Sequence, residues 1–508
     1  MSILLLEASN IEKYFADVQI LNIKNFKIYA GDRIGFIGPN GSGKTTLLNI
    51  LSGELQPDSG TVSRYCDIAY IRQFGIPGND TAESRRNGPD GAESLAESTE
   101  KLGQYGVLSK TENPVVSGGE ATRIKIAHAL STRRRLIFAD EPTTNLDIYG
   151  VRQFSHELAA LESFILISHD RELLNTHCNR IITLENTDIV VYEGDFDAYK
   201  QQAAAKYRRE QFEYEQYKSE KERLQKVYAD KKSKAVKVDK KPKNMSSSEA
   251  KMRGFVATSR SLGGKARRME QAAKAIQSRI DNMDVKERPT QQAQIKLDFA
   301  LTNPPRNKVL LSGKDITFAY GSQVLFEKAA FEIKNGARAA IQGPNGSGKT
   351  TLLDLIWQGH ESIYRVPMAR IGYFRQGFEN IDLNKTVLQN AMEDSVQAES
   401  TVRSILARLL FAASDIKKAA HVLSGGERVK LSLAKLLVSG CNVLLMDEPT
   451  NYLDMPSLEV LQSILRDYEG TLVFVSHDRD FINGICTELL FIRDRKLISH
   501  IGNLGDKY

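Results

Sequence analysis

Two stretches of this 508-residue chain read GPNGSGKTT, at 38–46 and again, 305 positions later, at 343–351. In the first, Gly38, Gly41 and Gly43 permit tight turns that point backbone N–H groups at phosphate oxygens, with Pro39, Asn40 and Ser42 between them. Lys44 would set a point charge on the β- and γ-phosphates, the Thr45 hydroxyl suits Mg2+, and Thr46 continues into the next element. Gly343, Pro344, Asn345, Gly346, Ser347, Gly348, Lys349, Thr350 and Thr351 repeat the set letter for letter. Further along, LIFADEP and LLMDEP place Asp140-Glu141 and Asp447-Glu448 at the ends of apolar runs. The first carboxylate of each pair suits the shell of Mg2+, and the second suits polarising an attacking water. The chemistry implied is hydrolysis of a nucleoside triphosphate, at two places.

Such residues need elements to hold them, and the chain repeats these elements in order. Gln73, Ser117–Glu120 (SGGE), Pro142 and Asp170 of LISHD recur as Gln376, Ser424–Glu427 (SGGE), Pro449 and Asp478 of FVSHD, at offsets of 303, 307, 307 and 308. Offsets this constant mean one domain present twice. In each copy an apolar run (IGFIG, AAIQG) leads into the glycine loop, and TTLLNI or TTLLDL follows with helical character. Strand, loop and helix is the setting a phosphate-binding loop requires. The fold class expected is α/β, with two nucleotide-binding domains at 1–198 and 304–508 and a linker at 199–303.

Composition narrows the class. A hydrophobic share of 41% with 26% charged residues is that of a water-soluble globular chain. The opening MSILLLEASNIEKYF holds four consecutive apolar residues and then an acid, so no secretory signal is expected, and no run approaches the roughly 18 apolar residues of a membrane span. Cys66, Cys178, Cys441 and Cys486 are scattered without a CxxC pair, which argues against a disulfide framework, a zinc site or an iron–sulfur cluster.

The order of phosphate loop, Gln, SGGE, DEPT and SHD resembles the ATP-binding-cassette ATPases, over both halves. The resemblance implies ATP and Mg2+ as cofactors. It makes Gln73 and Gln376 the residues that meet metal and water, beside Thr45, Asp140, Thr350 and Asp447. Ser117, Gly118, Gly119 and Glu120, with Ser424, Gly425, Gly426 and Glu427, become signatures that cap the ATP held by the other half. Asp147 and Asp454 correspond to the D-loops, and His169 and His477 to switches that contact the γ-phosphate beside the catalytic Glu141 and Glu448. Tyr14 (or Phe15) and Tyr320 lie ahead of their loops, where the family stacks adenine on an aromatic. One chain could then close two composite sites as a monomer, Lys44 with Ser424 and Lys349 with Ser117.

The linker differs from everything around it. Residues 201–290 hold 24 Lys/Arg against 12 Asp/Glu, a net of +12 in a chain whose total is +6. Ala203, Tyr207, Tyr214, Tyr217, Leu224 and Tyr228 recur at helical spacing, as do Met269, Ala273, Ile276, Ile280 and Met283. Two such stripes predict a long antiparallel helical hairpin, the first helix near 199–238. Pro242 should stop it, Ser246 with Glu249 reads as a capping box, and Gly254, Gly263 and Gly264 should break the return. Residues 231–268 carry 13 Lys/Arg against 2 Asp/Glu, a tip suited to a polyanion.

Tandem cassettes around a basic hairpin, without a membrane span, resemble the ABC-F group of translation ATPases. The resemblance implies a cytoplasmic partner of the ribosome whose hairpin enters the E site and meets 23S rRNA and P-site tRNA, with no transmembrane partner. From Gln73 to Ser117 is 44 residues and from Gln376 to Ser424 is 48, so the arm domain that housekeeping members insert in the first cassette is not expected. ADEPTTNLD, VSGGEATR and KKPKNMSSSEAK resemble the Vga-type antibiotic-resistance branch, which counters lincosamides, pleuromutilins and streptogramin A. The tail ends at Tyr508 soon after SHD, without a C-terminal helical extension, which keeps the related Msr type open. A housekeeping translation factor, a transporter motor and a DNA-directed ATPase are the alternatives.

Overall fold

Short apolar runs set the architecture. LIFAD (β6, Leu136–Asp140) and FILI (β7, Phe164–Ile167) are buried at every residue, as strands covered on both faces must be. The structure, a computed structural model, describes residues 3–72, 118–131, 135–144, 146–239, 255–286, 305–375 and 380–502. In the first half β6 and β7 join β3 (Arg33–Ile37), β5 (Ile68–Ile71), β8 (Arg180–Glu185) and β9 (Asp188–Glu193) in one sheet of order β5-β6-β7-β3-β8-β9. All its neighbours run parallel except the β8–β9 edge. Because β6, β7 and β3 are adjacent and parallel, their carboxyl ends deliver Asp140, the SHD stretch and the glycine loop to one edge, where ligands of open α/β sheets bind.

A second, antiparallel sheet of order β2-β1-β4 (Val18–Tyr29, Leu4–Phe15, Ser59–Arg64) lies beside it. The packing between the two sheets buries Leu5, Ile11, Phe26, Phe36 and Phe138 together with Leu47, Leu48 and Leu51 of α1 (Lys44–Ser52). The opposite face of the large sheet is covered by α2 (Gly118–Ser131), α3 (Ile148–Ala160) and α4 (Arg171–His177), through Ile126, Phe154 and Leu174.

The second half repeats both sheets: a small one of order β11-β10-β13 (Gln323–Lys334, Val309–Tyr320, Ile363–Arg365), and a large one of order β14-β15-β16-β12-β17-β18 (Ile371–Phe374, Val443–Asp447, Thr471–Val475, Arg338–Gln342, Glu488–Arg493, Lys496–Ile501). Its β15 and β16 are again wholly buried. Its α7 (Lys349–Gln358) follows the second glycine loop. Here α8 (Val387–Glu393) and α9 (Glu399–Arg408) pack on α10 (Gly425–Val438) through Val387, Val402, Leu406 and Leu433. The corresponding stretch of the first half, 76–113, lies outside the described residues.

Residues 200–292 form a separate unit. Its α5 (Phe196–Asp239) runs for 44 residues, about 65 Å at 1.5 Å per residue, and α6 (Phe255–Asp281) for 27. Lys286 reaches Glu213 at 3.3 Å and Arg279 reaches Glu220 at 3.6 Å. In both pairs one number rises as the other falls by the same seven, so the helices are antiparallel. Leu224 and Ala273 are buried between them, and Tyr207, Tyr214, Tyr217, Tyr228, Met269, Ile276, Ile280 and Met283 are half-buried on the same stripes.

The expected break at Gly263 and Gly264 does not occur. Both lie inside α6, which already begins at Phe255. Two interior glycines cost about 1 kcal/mol each relative to alanine, and the run of Ala, Lys, Arg, Met, Glu and Gln that follows propagates the helix past them. Phe255 and Val256 therefore form its first turn. The stop at Pro242 and the capping box at Ser246 and Glu249 lie outside the described residues.

Candidate functional site: two phosphate loops facing across one cleft

Each glycine loop is built for an anion. Gly41 and Gly43 have φ of 77° and 101°, and Gly346 and Gly348 repeat them at 76° and 100°, in the left-handed region that favours glycine. Gly43 and Gly348 head α1 and α7 without a side-chain cap, so the helix N–H groups are left to a ligand. Lys44 Nζ donates to the carbonyls of Gly38 and Pro39 at 2.8 Å each, and Lys349 to Gly343 and Pro344 at 2.9 and 3.0 Å. Burial holds both ammonium groups below the usual lysine range. Ser42 Oγ and Ser347 Oγ are buried without a hydrogen-bond partner, as acceptors and donors awaiting phosphate would be. The Thr45 hydroxyl donates to Asp140 Oδ2 at 2.7 Å, and Thr350 is hydrogen-bonded to Asp447 in the same way. Hydroxyl plus carboxylate oxygen is a donor set that fits Mg2+.

Beside these lie the two glutamates. Glu141 and Glu448 sit at φ of 47° and 48°, unusual for residues with a side chain. The strain is held by the adjacent strand: their N–H groups donate to Ile167 and Val475 carbonyls at 3.0 Å. Burial, and then the charge of Asp140, push the Glu141 carboxyl up to about 8, and burial with Asp447 raises that of Glu448. His169 Nε2 lies 3.2 Å from Glu141 Oε1, and His477 Nε2 stands 3.2 Å from Glu448 Oε1. Burial, then Lys44 or Lys349, lowers the two imidazoles to about 4, so they are neutral at pH 7. A carboxyl with its pKa near the working pH, beside a neutral imidazole, can take a proton from water.

The two halves meet at these loops. Asn40 N donates to Asp454 Oδ2 at 3.0 Å and Asn40 Nδ2 to the Tyr452 carbonyl at 2.8 Å. Asn345 N donates to Asp147 Oδ2 at 3.2 Å. Ser424, Gly425 and Gly426 open α10, where Ser424 Oγ accepts from Glu427 N and Glu427 Oε2 accepts from Ser424 N at 2.8 Å. This capping box fixes the helix N-terminus that faces the first phosphate loop. One cavity of about 1670 Å³ is lined by both loops, both acidic pairs, both histidines and Ser424–Gly426. A single small-molecule site takes roughly 300–1,000 Å³, so the cleft has room for two ligands.

Gln73, Gln376 and Ser117 lie outside the described residues, while Gly118, Gly119 and Glu120 open α2 and Glu120 lines the cleft. Tyr320 lines it too, but in the first half the lining aromatic is Phe15 rather than Tyr14. Side chains alternate across a strand, and the Tyr14 hydroxyl instead accepts from Gln19 Nε2 at 2.8 Å. Contacts that no motif announced also join the halves: Arg171 to Glu459 at 2.9 Å and Arg479 to both oxygens of Glu172 at 2.8 Å. An arginine directly after each SHD was the available signal.

The pattern of the ABC transporter family matches residues 21–144 and 326–451, one match per half. The erythromycin resistance ATP-binding protein MsrA of Staphylococcus epidermidis is 31% identical, over 94% of this chain and 95% of that one. The ribosome protection protein VmlR of Bacillus subtilis is 30% identical, over 98% of this chain and 88% of its own. ABC transporter F family member 2 of Arabidopsis thaliana is 27% identical, over 97% and 77%. The chain belongs to the ABC-F family. As an ABC-F ATPase it binds and hydrolyses ATP with two tandem cassettes, which the helical unit separates in sequence. Among the described residues of this ABC-F chain, no helix is long and apolar enough to cross a membrane.

Proposed function

We propose that the protein is an ATP-gated ribosome-protection factor of the cytoplasm. Its boundaries would be 1–198 and 304–508 for the cassettes and 199–303 for the hairpin. The observation that carries this reading is the hairpin itself, a paired-helix arm with net charge +12 over 201–290 that joins two ATPase domains in sequence. An arm of that charge suits RNA phosphate. The relatives MsrA, an erythromycin resistance protein, and VmlR, a ribosome protection protein, favour the resistance branch.

In the cycle we infer, ATP phosphates replace the Gly38 and Pro39 carbonyls as partners of Lys44, and Ser42 gains the partner it lacks. Thr45, Asp140 and Gln73, and Thr350, Asp447 and Gln376, would hold Mg2+, which neutralises phosphate charge. Ser424 and Gly425 close on the ATP of Lys44, and Ser117 and Gly118 on that of Lys349. Glu141 and Glu448 take the proton of the attacking water, and His169 and His477 steady the γ-phosphate. Phe15 and Tyr320 stack the adenines. Closure sends the hairpin from the ribosomal E site toward P-site tRNA and the peptidyl-transferase centre, displacing lincosamide, pleuromutilin or streptogramin A. Hydrolysis releases it.

The test is a resistance panel in a strain lacking its own factors, with the native chain and a Glu141→Gln, Glu448→Gln double variant. The native chain should raise tolerance to at least one of these drugs. The double variant should bind ATP, turn it over at least a hundredfold more slowly, and sediment with ribosomes rather than membranes. Tolerance to erythromycin alone would move the reading to the Msr type, and ribosome binding without any tolerance to a housekeeping factor.

A further inference from the structure

The two D-loop aspartates occupy equivalent places but are held by different chemistry. Asp454 Oδ2 accepts from Asn40 N of the opposite cassette, while its Oδ1 accepts from Ser457 N at 3.0 Å and from the Ser457 hydroxyl. Asp147 Oδ2 likewise accepts from Asn345 N across the interface, and its Oδ1 from Gly150 N at 2.9 Å. Gly150 stands where the second cassette has Ser457, so it has no hydroxyl to give. Arg123 Nη2 fills that role, donating to Asp147 Oδ1 at 2.7 Å. At the place of Arg123 the second cassette carries Lys430, which acts on Asp454 through its charge.

Arg123 is on α2, the helix opened by the first signature, and it lines the ATP cleft. One carboxylate therefore links three parts of a single ATP site: signature helix, D-loop and the phosphate loop of the other cassette. Asp147 is 4% exposed, so its charge is shielded from water and its orientation depends on these partners. Burial opposes its ionisation, but the Gly150 and Asn345 amides and Arg123 outweigh that and hold its carboxyl below the usual range.

We propose that Arg123 is a positioning residue for the ATP site built on Lys349 and Glu448, aligning Asp147 against Asn345, and that the Ser457 hydroxyl does this work for the site built on Lys44 and Glu141. The two sites are then closed by different chemistry, a guanidinium at one and a hydroxyl at the other. The inference rests on the composite pairing of cassettes described above.

A residue of the first cassette should thus act on the site whose catalytic glutamate is in the second. Arg123→Ala is compared in two full-length backgrounds, each against its own parent: Glu141→Gln, where the Lys349 site hydrolyses, and Glu448→Gln, where the Lys44 site does. The expected result is a fivefold or greater rise in KM for ATP with a roughly tenfold fall in kcat at the Lys349 site, and less than twofold change at the Lys44 site. Arg123→Lys combined with Gly150→Ser, which installs the second cassette's pair, should restore most of the lost rate. Loss at both sites would mean a damaged first cassette and would overturn the proposal. No loss at either would also overturn it, leaving the composite pairing intact. Loss confined to the Lys44 site would overturn the pairing itself, because Arg123 would then serve its own cassette.

Discussion

Glu141 carries two costs: a left-handed backbone and a carboxyl that burial raises to about 8. The second has a measurable sign. The folded state binds the proton more tightly than the unfolded chain, so the stability this contributes is complete below the ordinary value of 4.5 and is lost as pH rises to about 8. Glu141→Gln keeps the neutral shape and removes the titration. Its unfolding free energy without nucleotide should exceed that of the native chain by a margin that widens from pH 5 to 8, by at most about 1.4 kcal/mol per pH unit, and then levels. A constant margin in calorimetry would show that Glu141 is not buried as described. Phe15 gives a second prediction. Base stacking is worth roughly 1–3 kcal/mol, so Phe15→Ala should weaken ATP binding at the Lys44 site about tenfold, and Tyr14→Ala, which loses the Gln19 contact, should not. Titration with a fluorescent ATP analogue distinguishes them.

At the scale of elements, the hairpin stands on a narrow seam. Among its described side chains, Leu224 and Ala273 are the buried ones, at 5% and 4% exposure, and the other stripe residues are half-buried. Its ion pairs are exposed, and such pairs contribute little, a median near 0–1 kcal/mol. Apolar contact must therefore hold the helices together. Leu224→Ala should cost about 2 kcal/mol, read as faster amide exchange along α5 around 217–231, while the ATPase rate without ribosomes stays near that of the parent. Glu220→Gln, which removes exposed pairs to Arg223 and Arg279, should leave exchange unchanged.

At the scale of the whole molecule, contacts away from the phosphate loops also hold the cassettes face to face. Arg171–Glu459 and Arg479–Glu172 cross between them, and Met455 of the second cassette reaches into the core cluster of the first. The ion pairs are partly exposed, so each should contribute less than about 1 kcal/mol and weaken with salt. Arg171→Glu should loosen the pair of cassettes, seen as a larger radius of gyration in solution scattering, and Arg171→Glu with Glu459→Arg should close it again. An unchanged radius in the single variant would assign closure to Met455 and the Asn40–Asp454 contact instead.

Much of the site could be read in the sequence because phosphate binding is local chemistry. GPNGSGKTT needs only its own backbone turns and the helix it starts, and an apolar run ending in Asp-Glu specifies both a buried strand and the carboxylates at its end. The helical hairpin was equally legible, because period 3.6 and charge survive in any environment. What the sequence could not settle depends on neighbours far along the chain. Whether Tyr14 or Phe15 faces the cleft turns on strand register, since a shift of one residue reverses the face. Whether Gly263 and Gly264 end a helix turns on how strongly the residues after them propagate it. The bonds of Asp147 to Asn345 and of Asp454 to Asn40 span 198 and 414 residues, and the partition of Arg123 and Ser457 between them follows no local rule. Residue type and spacing determined which chemistry this chain can do, and the meeting of its two halves decided which side chains share each site.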